Sequence, residues 1–371
     1  MRKFSPLLLI SCLLMAAGVQ AKTVTDISNR TVTVPDNPQR IVVGESRMLY
    51  TLALVQDGNP AQHVVGWPGD MATLDAQSWA IYLKAFPEIG NIPLLGQNNY
   101  TQMSVEKVIA LKPDLVILPI YAKKQDNQDL MQEALTRAGI PVIYVDLRVD
   151  QLHNTLPSVK LLGDVLNHPE KAARFIAFYQ QHMNRVQERI AAYHGKRPTV
   201  MLQLHLGRRE TCCTTVSHGN LADLLAFAGG DNIAKGAFKS VYGDLNPEAV
   251  IVANPDVYIT TGMAGPEGKR VSNLMLGPQV TQEEAAQSFR QVMDKQPVLS
   301  TLKAVREGRA YSVWHNFYLS PYHLVDVEVF AKAMYPQLFK DVDPQQTMQD
   351  LYAQFLPVPF SGTYWSSLPA R

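Results

Sequence analysis

Cysteine is scarce in this chain: three in 371 residues, at positions 12, 212 and 213. A framework of several disulfides is therefore excluded as the source of stability. Charge of one sign is also missing, with 34 basic residues against 33 acidic ones and a net charge of +1. That balance offers no basic field for nucleic acid and no patch for an anionic membrane. Catalytic signatures are missing too: there is no G-x-S-x-G and no H-E-x-x-H. The stretch "GPEGKR" (265–270) falls short of a phosphate loop. Met263 stands where the first glycine is needed, and Arg270 where Ser or Thr must meet magnesium. Beyond residue 21 no apolar run approaches the roughly 20 residues a membrane span needs. What remains, 46% hydrophobic and 18% charged, is an ordinary globular composition with room for two domains.

The first residues, "MRKFSPLLLISCLLMAAGVQA", place Arg2 and Lys3 before an apolar run that ends in Val19-Gln20-Ala21. This is the pattern of a secretory signal cleaved after Ala21, and the expected compartment is a bacterial periplasm. A rival reading takes Leu9-Ile10-Ser11-Cys12 as a lipoprotein box. It would shorten the apolar core to about eight residues, so simple cleavage is preferred.

"RIVVG" (40–44), "VVGW" (64–67), "DLVILP" (114–119) and "IPVIYVD" (140–146) read as short buried strands. Helical stretches at 47–56, 104–111 and 127–138 alternate with them, which predicts a parallel sheet covered by helices. Next, "PEKAARFIAFYQQHMNRVQERIAAYHG" carries Ala173, Ile176, Ala177, Phe178, Met183, Val186 and Ile190 at near-helical spacing. Pro169 suits its first turn and Gly195 its C-cap, so one helix from Pro169 to about His194 is predicted. The alternation then restarts with "TVMLQLH" (199–205), a helix at 220–228, "DVYITTG" (256–262), a helix ending near 305, "AYSVWH" (310–315) and helices from about 326. The expected architecture is α/β, two Rossmann-like lobes with parallel sheets joined by a single long helix. The boundaries are 1–21 for the signal, 22–150 for the first lobe, 151–195 for the linker with its helix, and 196–371 for the second lobe.

Open α/β sheets bind ligands outside the carboxyl ends of their strands. That rule selects Ser46, Arg47, Trp67, Tyr121 and 146–148 in the first lobe. In the second it selects 205–209, Thr261, Gly262, Trp314 and His315. Ser46 can cap the following helix, whose N-terminus with Arg47 favours an anion. Arg208 and Arg209 approach from the other lobe, and a guanidinium binds oxygen pairs in a fork that lysine cannot copy. The plain alternative pairs these arginines with Glu45 and Glu210, their neighbours in sequence. Tyr318 belongs to the aromatic cluster "VWHNFYLSPYH", which is core or binding platform, and Tyr100 follows "LLGQNN". His205 and His315 are the histidines at strand ends.

Cys212 and Cys213 lie in "RRETCCTTVSH" at the rim of the predicted cleft. Four readings compete: a vicinal disulfide, metal ligation with His205 or His218, a catalytic thiol, or packing. Cα atoms about 3.8 Å apart across a trans peptide are too close for an ordinary bridge, and no C-x-x-C spacing supports a metal. Two free, poorly reactive packing thiols are expected.

Several ordered segments carry a family resemblance: "DISNRTVTVPDNPQRIVVGE", "SVEKVIALKPDLVIL", "AGIPVIYVD", "LLGDVLNHPEKAARFIAFYQ", "LADLLAFAGGDNIA", "LNPEAVIVANPDVYITTG" and "LKAVREGRAYSV". The chain resembles periplasmic substrate-binding proteins of ABC importers for iron-siderophores, haem and cobalamin, those with a rigid interlobe helix. The resemblance implies a monomer that grips a small metal chelate between lobes and delivers it to a permease. No catalysis, no resident cofactor and no nucleic acid are implied. The ligand expected is an anionic complex containing Fe3+, a ferric siderophore. Molybdate or tungstate is the runner-up, then haem or cobalamin, and a periplasmic enzyme acting on a metal chelate is the rival from another class. Relatives dock on permease arginines through one acid per lobe. Asp129 holds the first position, while His218 stands at the second, where Glu210 or Asp223 would have to substitute.

Overall fold

The computed structural model describes residues 20–97, 100–123, 129–208, 212–265 and 274–370. The first described element is a hairpin, Ala21–Thr25 against Thr31–Pro35. The first lobe is built on four parallel strands in the order Val64–Gly66, Ile41–Val43, Leu115–Pro119, Val142–Val145. Every residue of the last three is buried, as a sheet covered on both faces requires.

The second lobe repeats this order in its parallel part. Asp231–Asn232, Thr199–Gln203, Val257–Gly262 and Ala310–Trp314 lie side by side. Three antiparallel strands extend the sheet beyond the expected parallel set: Thr214–Val216, Tyr242–Asp244 and Trp365–Leu368. They are short and polar, "TTV", "YGD" and "WSSL", and so carry no periodic signal.

In each lobe the first strand in sequence has the second on one side and the third on the other. The connections therefore leave in opposite directions, and a crevice opens at the carboxyl end of that first strand. In the first lobe it lies beyond Val43, and in the second beyond Gln203.

The lobes are joined by an uninterrupted helix, Pro169–Ala191. It packs on the helix Leu49–Val55 of the first lobe and on His323–Met334 of the second. Its C-cap is Ala192, not Gly195. Its buried face also differs from the expected one near the start. Ala173 and Ala177 are exposed, whereas Ala172, Phe175 and Tyr179 are buried. A helix Gln151–Val165, which the sequence reading left as linker, precedes it and packs along it. Among the described residues no helix is long and apolar enough to cross a membrane.

Candidate functional site

The crevice of the first lobe is walled by charged groups that bind one another. Glu45 follows the strand Ile41–Val43, and Ser46–Met48 forms a single 3-10 turn before the helix proper. Asp70, fully buried, anchors that turn. Its Oδ1 accepts the Ser46 N–H at 2.7 Å and the Ser46 hydroxyl at 2.8 Å, and its Oδ2 accepts Arg47 Nε at 2.8 Å. The Ser46 Oγ in turn accepts the Met71 N–H at 2.8 Å. Ser46 thus caps the short helix Asp70–Leu74 and not its own, as the sequence had suggested.

Glu45 is the hub of the same wall. Its Oε1 lies 3.1 Å from an Arg148 Nη2 and 3.7 Å from an Arg47 Nη2, and it accepts the Tyr121 hydroxyl. The Arg148 guanidinium also lies 4.0 Å from the Tyr121 ring centroid, within cation–π range. Asp146 shapes the turn that presents Arg148 by accepting the N–H groups of Arg148, Val149 and Asp150. Burial opposes the charge of Arg47, yet the carboxylates of Glu45 and Asp70 outweigh it and raise its pKa.

The crevice of the second lobe presents rings. His205 has a left-handed backbone, φ 49°, directly after its strand. The Thr261 Oγ1 accepts the His205 N–H at 2.9 Å and lies 2.9 Å from His315 Nδ1. This holds the two imidazoles close together, with ring centroids 3.6 Å apart and planes tilted by 41°. Tyr318 packs edge-on against His315 at 5.0 Å. Burial and then Arg208 pull the His205 pKa down to about 4, leaving the ring neutral at pH 7. The His315 pKa is also held well below its ordinary value, first by burial, then by His205, Arg47 and Arg208. Cations from both lobes thus converge on this ring. Tyr318 lies within electrostatic reach of Arg47, Arg148 and Tyr242. Hydrogen bonds cross between the lobes from Gln151 Nε2 to the Tyr318 carbonyl and from Asn220 Nδ2 to the Arg148 carbonyl.

The cleft therefore brings together Arg47, Tyr121, His205, His315 and Tyr318. Arg208 is exposed at its rim, and its guanidinium has no ion-pair partner among the described residues. Other expectations fail. Trp67 is 0% exposed beside Trp79, and Trp314 is 2% exposed among Tyr50, Phe317 and Tyr364, so both are core. Asp129 is buried and offers no surface carboxylate for docking. Its Oδ1 caps the helix Leu130–Arg137, and its Oδ2 accepts the Tyr144 hydroxyl at 2.7 Å. Asp223 accepts the Gly219 N–H at the start of its helix. Arg209, Glu210, Cys12 and all of the signal segment but Gln20 and Ala21 lie outside the described residues, as does the side chain of Tyr100.

Cys212 and Cys213 form a disulfide, which overturns the expectation of free thiols. The peptide between them is cis, and their Cα atoms stand 3.1 Å apart. Among the described residues, no three His, Cys, Asp or Glu side chains are grouped to hold a bare metal ion.

Sequence reasoning named Glu45 only as a partner for Arg47, a contact the structure has at 3.7 Å; it missed Arg148 and Tyr121 as further partners of Glu45, and missed Asp70 altogether. It had placed Arg148 and Thr261 at strand ends without singling them out. Tyr242, from an antiparallel strand, gave no signal at all.

Residues 70–314 match the profile of the family described as periplasmic binding protein. The molybdate-binding protein MolA of Haemophilus influenzae is 25% identical over 373 residues, spanning 94% of this chain and 95% of its own. A vitamin B12-binding protein of Yersinia pestis is 27% identical over 161 residues, covering 43% of this chain and 53% of that protein. Among solved structures, the TroA-like periplasmic binding protein FepB of Veillonella parvula superposes with a TM-score of 0.85 at 28% identity, over 93% of this chain and 99% of that one. Molybdate-bound MolA superposes at 0.65 with 20% identity, over 92% and 99% respectively, a likeness of fold alone.

Proposed function

Because this chain belongs to the periplasmic binding protein family, we propose that it captures an organic metal chelate, a ferric siderophore, between its lobes and delivers it to the permease of an ABC importer. Proteins of this family are substrate-binding components of transport systems and not enzymes. The observation that carries the chelate reading is the make-up of the cleft. Guanidinium donors of Arg47 and Arg148 line the first wall, and Arg208 stands beside the rings of His205, His315 and Tyr318 on the second. Donors suit the oxygens around a chelated metal, and rings suit its organic periphery. Because no bare-ion site exists among the described residues, the metal would arrive with its own ligands.

The second reading, a molybdate-type oxyanion, is favoured by the name of the relative that aligns along nearly the whole chain. A tetrahedral oxyanion needs the donors but little of the ring surface. Titration of the mature protein with ferric hydroxamate, catecholate and carboxylate chelates, beside molybdate, haem and cobalamin, separates the two. One chelate bound per monomer, recovered unchanged, with a dissociation constant at or below about micromolar, near −8 kcal/mol, is expected. Binding of molybdate alone would sink the siderophore reading. Consumption of a chelate without binding would replace both readings with an enzyme.

A further inference from the structure

The two cleft arginines of the first lobe are already matched by carboxylates. Arg47 is held by Asp70 at 2.8 Å, and Arg148 by Glu45 at 3.1 Å. Glu45 sits at the mouth of the crevice where the strand order reverses, the place where an open α/β sheet receives its ligand. Its carboxylate lies between both guanidiniums and the Tyr121 hydroxyl, and the residue is only 9% exposed. It therefore stands where the anionic group of a ligand would make its best contacts.

We propose that Glu45 is a specificity-determining residue, a resident carboxylate that occupies the cleft arginines and makes the site prefer a chelate of low net charge over a polyanion. This rests on the metal-chelate reading above. A polyanionic chelate that approaches Arg47 or Arg148 meets the Glu45 charge at close range. To displace that carboxylate it must strip three partners from a buried group. A neutral chelate has another route. Arginine carries five N–H donors, and neither guanidinium spends all of them on Glu45 and Asp70. Carbonyl and hydroxamate oxygens can accept the rest without bringing a second negative charge beside the first. Arg208, on the facing wall, adds a cation with no ion-pair partner among the described residues.

The test compares two ferric chelates of similar size, a neutral trihydroxamate and a trianionic tris-catecholate, against wild type, Glu45→Gln and Glu45→Asp. Thermal melts of each variant establish that it is folded. Wild type is expected to bind the neutral chelate more tightly. Glu45→Gln is expected to shift the ratio of the two dissociation constants toward the trianion by at least tenfold, and Glu45→Asp to keep the wild-type order. A shift below threefold in Glu45→Gln, or a wild type that prefers the trianion, overturns the Glu45 assignment and leaves the chelate reading standing. If neither chelate binds wild type or Glu45→Gln, both fall together.

Discussion

The two walls of the cleft use their polar groups in opposite ways. The first lobe sets Arg47, Arg148, Glu45 and Asp70 into one network, and each charge has a partner of opposite sign. The second lobe sets two closely spaced neutral imidazoles beside Arg208, which has no ion-pair partner among the described residues, and leaves the buried Nδ1 of His205 without a hydrogen-bond partner among them. Buried charges are tolerated only when paired, and removing one partner leaves the other uncompensated. The first wall is thus part of the lobe's own stability. The second is maintained largely by packing and by one hydroxyl, Thr261, so its polar atoms remain available to something else. A fixed wall facing an available one suits a protein whose lobes close on a ligand while a continuous helix restricts the motion.

The largest effect should come from cutting the first wall at its anchor. Asp70→Ala removes the acceptor for Arg47, for the Ser46 hydroxyl and for the Ser46 N–H, all in a fully buried place. A loss of about 3–5 kcal/mol in unfolding free energy is expected, the range for orphaning a buried charge. Urea unfolding followed by circular dichroism measures it. A loss under about 1 kcal/mol would erase the contrast between the walls.

Arg208→Ala tests the opposite wall and should separate binding from stability. Its side chain is exposed and unpaired among the described residues, so unfolding free energy should move by no more than about 0.5 kcal/mol. Chelate affinity should fall by about 1.5–3 kcal/mol, the range for a hydrogen bond to a charged group. Calorimetric titration beside the same unfolding assay reads both. If stability drops and affinity does not, Arg208 belongs with the first wall.

These contrasts were only partly legible in the sequence. Runs such as "DLVILP" and "DVYITTG" announced their strands, because a sheet covered on both faces needs continuous apolar residues. The strand-end rule also picks out Arg47, Tyr121, His205 and His315, which the structure places at the cleft. The same rule misjudged Trp67 and Trp314. A side chain just past a strand points either into the crevice or under a helix layer, and position alone does not decide between them. Asp129 misled for a related reason. An acid at a helix start can cap the helix or face a partner, and only its burial against Tyr144 separates the two. Asp70 left no trace because its bonds to Ser46 and Arg47 span 24 and 23 residues. The paired cysteines were misjudged because the usual Cα span of a disulfide was applied to neighbours in sequence, which bond here at a shorter one.

The smallest effect concerns acid, and it belongs to the second wall. His205 is held neutral in the folded chain, with a pKa of about 4 set first by burial and then by Arg208. Unfolded, it would titrate near 6.5. Between those values the unfolded state binds a proton that the folded state refuses, so stability rises with pH across that window. The contribution of the neutral ring is complete above about pH 6.5 and is lost as pH falls toward 4. A shift of this size would be worth about 3 kcal/mol for a fully buried group, and partial exposure to water lowers it to about 1–2 kcal/mol. His205→Asn removes the titration and suits the site, because asparagine tolerates the left-handed backbone that His205 adopts. The variant should therefore lose less stability than wild type between pH 7 and pH 4.5. Thermal melts at the two pH values give the difference. Equal losses in both proteins would mean that the imidazole pair carries no such acid liability, and that the second wall is as self-contained as the first.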